Sequence, residues 1–215
     1  NEGQPIDDFA NQLVELLAWL EGTIPEEHPF SRVTLSPATP GRPDVWLLGS
    51  SPWSAVAAAQ LGLPYCFAQF INPEPVRQCL RTYRERFDPA AGGLPEPRAM
   101  VAVGAVCADT DGEAARLMMS VRAVRSRIRR NRGGPVPTPD EAIAELGPEP
   151  GPLPVAHGDW PRYFAGTAPL VVGQLDAMAT ELGVDEVLVV TICHDHEARC
   201  RSYELLAGEV GLGPR

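Results

Sequence analysis

The 215-residue chain contains no lysine: all 18 of its basic residues are arginine, set against 28 acidic residues and a net charge of -10. An acidic chain of this kind repels a phosphate backbone, which excludes a general nucleic-acid role. No apolar run approaches the roughly 20 residues that cross a bilayer, and no secretory leader is visible. The five cysteines, Cys66, Cys79, Cys107, Cys193 and Cys200, are odd in number and lack CxxC spacing. They read as reduced, mostly buried thiols of a cytoplasmic protein rather than as a disulfide frame. A structural zinc site is also missing its ligand set: His194, Asp195 and His196 stand together without a third or fourth ligand at zinc-site spacing. What is abundant is proline, with 23, and glycine, with 20.

The most informative stretch is Asp44-Val45-Trp46-Leu47-Leu48-Gly49-Ser50-Ser51-Pro52-Trp53-Ser54. Val45 to Leu48 is continuously apolar, as a parallel strand buried on both faces should be. Gly49 permits a tight turn or a close approach by a ligand. Ser51 is placed as an N-cap, with Pro52 at the first helical position, where its missing N–H costs nothing. The helix continues through Ala59. Its free N–H groups, its positive dipole end and the hydroxyls of Ser50, Ser51 and Ser54 make a candidate phosphate site. The alternative is that Ser51 only caps the helix.

Around this unit the pattern predicts helices over Asp7 to Leu20, closed by Gly22, and over Pro73 to Phe87. A short strand is placed at most at Val33 to Leu35. Buried strands are predicted at Tyr65 to Phe70, Ala99 to Val106 and Val187 to Ile192. In the first of these Phe67 and Gln69 are two apart and share a side. Thr110 and Glu113 have capping-box spacing ahead of a long helix. That helix ends in Arg122, Arg125, Arg127, Arg129, Arg130 and Arg132, read either as a solvated helix end or as an anion or partner site. Residues 133–161 are rich in proline and glycine, carry one short helix from Thr138 to Leu146, and form an insertion that is a candidate lid lined by Trp160, Tyr163 and Phe164. Thr167 caps a helix to Leu182, and Asp195 caps the last one.

Several of these stretches, in this order, resemble the bacterial luciferase-like flavin-dependent monooxygenases. They are Trp46-Leu47-Leu48-Gly49-Ser50-Ser51 with Ser54-Ala55, Leu61-Gly62-Leu63-Pro64 before Phe67-Ala68, Ala108-Asp109-Thr110-Asp111, and Val189-Val190-Thr191-Ile192-Cys193-His194-Asp195-His196-Glu197-Ala198-Arg199 through Leu206. The resemblance implies an α/β fold of the (β/α)₈ barrel type. A full barrel takes about 250 residues and eight strand–helix units. Only about four are legible here, so 1–215 reads as a single domain equivalent to the C-terminal half of that fold.

By the same resemblance the function is that of a flavin-dependent monooxygenase acting on a small organic substrate with O2 and reduced FMN from a partner flavin reductase; deazaflavin F420 is the variant cofactor. Gly49, Ser50, Ser51 and Ser54 would anchor the flavin phosphate, with Phe67 and Gln69 beside the ring. His194, at the end of the last strand, is the candidate catalytic group, and no metal is expected. A non-catalytic flavin-binding protein and a half-barrel assembly module are the alternatives. A half-barrel has unpaired strand edges, so a homo-oligomer or association with a missing N-terminal half is expected.

Overall fold

A computed structural model describes residues 7–34, 36, 41, 43–147 and 159–213. The chain divides into two compact units, 1–46 and 47–215. The first is built on helix α1 (Asp7–Glu21), which ends at Gly22 in the left-handed region (φ 68°). Within it the Trp19 indole donates to Glu15, and the Trp19 ring meets His28 edge-on at 6.0 Å. Val33 and Thr34 are not strand, and Leu35 lies outside the described residues.

The second unit is an all-parallel sheet with helices between its strands: β1 (Leu47–Gly49), α2 (Pro52–Gln60), β2 (Tyr65–Ala68), α3 (Val76–Arg86), β3 (Ala99–Cys107), α4 (Asp111–Arg129), α5 (Pro139–Leu146), β4 (Tyr163–Gly166), α6 (Ala168–Leu182), β5 (Glu186–Val190) and α7 (His196–Glu209). The four expected strands are present as β1, β2, β3 and β5, but β1 begins only at Leu47, and neither it nor β5 is buried on both faces as expected, because Leu48 and Leu188 are exposed. The fifth, β4, was not foreseen, because Phe164-Ala165-Gly166-Thr167 reads as the approach to a helix.

Hydrogen bonds fix where β4 sits. Alternate residues of a strand turn their N–H and C=O to the same edge. Ala102 C=O accepts from Phe70 N–H at the end of β2, and Gly104 N–H donates to Arg162 C=O at the start of β4. Both even-numbered residues bond on one edge of β3, so β4 continues that edge where β2 stops. Ala105 C=O accepts from Thr191 Oγ1 on the other edge, where β5 lies. The main sheet therefore runs β1-β2-β3-β5, with β4 beside the C-terminal part of β3. Gly104 makes this pairing possible: a Cβ there would strike the Tyr163 ring.

The two faces of the sheet differ. Register pairs Leu47, Tyr65 and Ala99, then Gly49, Phe67, Val101 and Val187, and paired residues share a face. On that face Tyr65 reaches α2 through Ser54 and stacks on Tyr83 of α3 at 5.3 Å. This is the helix-covered side, and Tyr65, Phe67, Val101 and Val103 are fully buried there. On the opposite face Leu48 is 53% and Leu188 48% exposed. The helical layer is pinned by side chains: Arg84 of α3 donates to Leu182 C=O and Gly183 C=O at the end of α6, and Arg77 pairs with Glu181 at 2.6 Å.

The proline- and glycine-rich stretch contributes α5, capped as expected by Thr138, whose hydroxyl accepts from Glu141 N–H while Glu141 accepts from Thr138 N–H. Residues 148–158, the middle of the candidate lid, lie outside the described residues. Among the described residues no helix is long and apolar enough to cross a membrane. All five cysteines are free.

Candidate functional site

Because every strand is parallel, Gly49, Ala68, Cys107 and Val190 end on one rim of the sheet, where α/β folds place their ligand sites. At the first of these ends the chain is locked into a turn. Ser51 is the N-cap of α2, and its hydroxyl accepts from Ser54 N–H; Ser51 N–H in turn donates to Ser54 Oγ, both at 3.4 Å. The Ser54 hydroxyl donates to Ser51 C=O at 2.7 Å and lies 3.2 Å from the Tyr65 hydroxyl, which also reaches Gly49 C=O at 3.3 Å.

Burial raises the pKa of Tyr65 far above that of an ordinary phenol, so the hydroxyl keeps its proton and remains available as a donor. Gly49 completes the lock, because a Cβ at this position would overlap Ser54 Cβ and Oγ. Ser54 is buried, whereas Ser51 is exposed and Ser50 half-buried. Four of the expected residues, Gly49, Ser50, Ser51 and Ser54, are thus brought together. Their parts differ: the Ser54 hydroxyl spends its one hydrogen inside the turn, while Ser51 caps at the surface.

Phe67 and Gln69 are placed elsewhere than expected. Phe67 is fully buried on the helix-covered face, its ring 6.5 Å from that of Tyr65. Gln69 follows a tight reversal, with Gln69 N–H donating to Phe67 C=O. Its fully buried amide donates to Pro161 C=O at 2.9 Å and touches Met178 Sδ of α6 at 3.6 Å. Neither side chain offers a surface beside a flavin ring. Phe67 lies on the side of β2 that the helices cover, and Gln69 comes after the strand has ended and reversed, so the two-residue spacing no longer fixes its side.

At the end of β5, Thr191 is held by Ala105 C=O and by the Tyr203 hydroxyl, which accepts from Thr191 N–H. Asp195 caps α7, accepting from Ala198 N–H at 2.7 Å. His194 is exposed, and its Nδ1 lies 2.8 Å from Val136 C=O. A carbonyl only accepts, so Nδ1 carries the ring proton of the neutral imidazole and Nε2 is the bare nitrogen. His196 instead meets Arg199 and Cys200 on its own helix. No group of three metal-ligating side chains converges among the described residues.

Further ties brace the rim. Asp109 pairs with Arg201 at 2.7 Å, which lowers the carboxyl's pKa through their hydrogen bond. Asp111 accepts from Thr167 N–H at 2.7 Å. Buried Ser202 accepts from Cys107 N–H at 2.9 Å. Tyr65 is the site residue that pattern reading missed. Its signal was a single phenol in an otherwise apolar strand, which must find a polar partner when buried.

The family model described as luciferase-like monooxygenase matches residues 1–186. The chain is 33% identical to a luciferase-like monooxygenase of Escherichia coli (strain K12) over 200 residues, 93% of this chain and 58% of that protein. It superimposes on the crystal structure of apo-MsnO8 with a TM-score of 0.79 at 41% identity, covering 98% of this chain and 63% of the other. At 17% identity it shares the fold of the oxygenating constituent of 3,6-diketocamphane monooxygenase, solved in complex with FMN (TM-score 0.56, 97% and 63% covered). The chain therefore spans about three-fifths of the length of these relatives.

Proposed function

The chain belongs to the luciferase-like monooxygenase family, and from that premise we propose that it carries the flavin-phosphate-binding part of an oxidoreductase that uses reduced FMN and O2 on a small organic substrate. The observation that carries this reading is the locked turn at Gly49 to Ser54. A dianionic phosphate needs donors and positive potential fixed in advance. The turn supplies an exposed serine hydroxyl at the N-terminus of a nine-residue helix, with the backbone held by Ser54 and Tyr65. The donor chemistry therefore fits the group.

The residues divide the work. Gly49, Ser50 and Ser51 hold the phosphate, and Ser54 and Tyr65 keep their backbone in place. Phe67 and Gln69 support the strand from the helix side. The flavin supplies the electrons and the activation of oxygen, and a separate reductase supplies the reduced flavin. His194 Nε2 is the proton-exchanging group at the end of β5. A deazaflavin is the alternative cofactor for the same turn, since an F420-dependent secondary alcohol dehydrogenase shares the fold at 15% identity.

A flavin-fluorescence titration tests the reading. FMN should bind saturably, riboflavin, which lacks the phosphate, should bind at least about ten-fold more weakly, and Ser51→Ala should cost FMN a similar factor, the scale of a hydrogen bond to a charged group. Equal affinity for FMN and riboflavin, or for wild type and Ser51→Ala, would sink it. An F420 titration run alongside decides between the cofactors. The exposed Leu48 and Leu188 favour a second, compatible role as an assembly module, in which the uncovered sheet face packs on further protein.

A further inference from the structure

The arginine cluster of α4 is joined in the fold by one more arginine from a distant stretch. Arg125 donates to Phe70 C=O at the end of β2 at 2.8 Å, and its guanidinium carbon sits 5.6 Å from the Tyr163 ring centroid. Arg162, just before β4, lies in the electrostatic reach of Arg125 and Arg129. Its surroundings are fixed. Arg162 C=O accepts from Gly104 N–H, Pro161 C=O accepts from Gln69, the Trp160 indole donates to Glu181, and Asp159 pairs with Arg77.

These contacts are made within the protein, whereas Arg162 Nε and the amide oxygen of Gln69 are buried and have no hydrogen-bond partner. Among the described residues Glu74 is a carboxylate that acts on Arg162 from a distance. Burial foremost, and then the two arginines, depress the guanidinium's pKa, which marks a cation held at a cost. Arg127 shows the contrast within the same cluster, being paired with Glu145 at 2.6 Å. A partly buried cation beside like charges is unfavourable unless something negative completes it. A guanidinium fork suits an oxyanion.

We propose that Arg162 and Arg125, where β2 ends and β4 begins, bind the carboxylate or phosphate group of a small molecule. Arg162 supplies its unpartnered Nε–H, and Arg125 supplies charge while anchored to Phe70 and the Tyr163 ring. None of the residues assigned to flavin phosphate takes part, so this site and the flavin reading can fail separately.

Isothermal titration with benzoate, phenyl phosphate and neutral benzamide tests it on the wild type, Arg162→Gln and Ser51→Ala. At least one of the two anions should bind saturably while benzamide does not, and the preferred anion identifies the group. Arg162→Gln should weaken that anion about ten-fold or more, the scale of a charged hydrogen bond. In this variant FMN affinity should stay unchanged, and in Ser51→Ala the anion should bind as in the wild type. Without anion, Arg162→Gln should melt no lower than the wild type, because it removes an unpaired buried charge. Failure of both anions to bind, equal binding of benzamide, retained affinity in Arg162→Gln, or loss in Ser51→Ala instead would overturn the proposal. A markedly lower melting temperature for Arg162→Gln would mark it as a structural cation and overturn it too.

Discussion

Gly49→Ala is the sharpest probe of the turn. The added methyl would overlap Ser54 Cβ and Oγ, far inside an ordinary carbon contact of about 3.5 Å. Neither partner can give way freely. Ser54 is buried on the first turn of α2, and its hydroxyl is tied to Ser51 C=O at 2.7 Å and to Tyr65 at 3.2 Å. Overpacking of this kind costs about 1–3 kcal/mol, and loosening a buried hydrogen bond adds about 1 kcal/mol. The sum, about 2–4 kcal/mol, corresponds to a fall in Tm of roughly 4–16 °C for a chain of this size. Calorimetry on four proteins checks the cause: wild type, Gly49→Ala, Ser54→Gly and the double variant. Removing the Ser54 side chain removes the clash, so the double variant should be as stable as Ser54→Gly alone, to within about 0.5 kcal/mol. A Gly49→Ala protein that melts like the wild type, or a double variant whose two losses simply add, would refute the steric reasoning.

Three further outcomes are expected. Burial pushes the thiols of Cys66, Cys107 and Cys193 up to about 11, so at pH 8 a thiol reagent should modify exposed Cys200 and leave Cys66 and Cys107 until the chain unfolds. Since unfolded thiols titrate near about 8.5, the contribution of these groups to stability is intact below that pH and is lost as pH rises toward 11; a urea midpoint that does not fall between pH 8 and 11 would contradict this. The exposed apolar side chains Leu48 and Leu188 should drive association, so light scattering should report more than a monomer. A monomer with cooperative unfolding would argue against it.

Four of the five expected helix caps were legible because their chemistry is local; the fifth, Thr167, stands at the N-cap of α6 but makes no side-chain cap bond. Ser51, Thr110, Thr138 and Asp195 each bond an N–H three residues on, and nothing distant is needed to specify that. The second helix of unit 2 is shorter at its start than expected, Val76–Arg86 against a prediction from Pro73, and its N-cap Pro75 makes no side-chain cap. β2 likewise stops at Ala68 rather than Phe70, because the chain reverses at Gln69. Propensity does not register a reversal that α6 and the Pro161 carbonyl hold in place.

Sequence by itself therefore determined the tight, capped turn at Gly49 to Ser54 and the order of β1, β2, β3 and β5, though not β4, since periodicity, capping and glycine act over a few residues. Tertiary structure alone decided which side of β2 the helices cover, and with it the full burial of Phe67, as it decided that of Gln69 against α6. It also decided that Tyr65 locks the turn from 16 positions away, that β4 exists because Gly104 admits Tyr163 beside it, and that Arg162 joins the arginines of α4. Each of these depends on contacts between residues far apart in the chain, and an alternating pattern is the same whichever face turns inward.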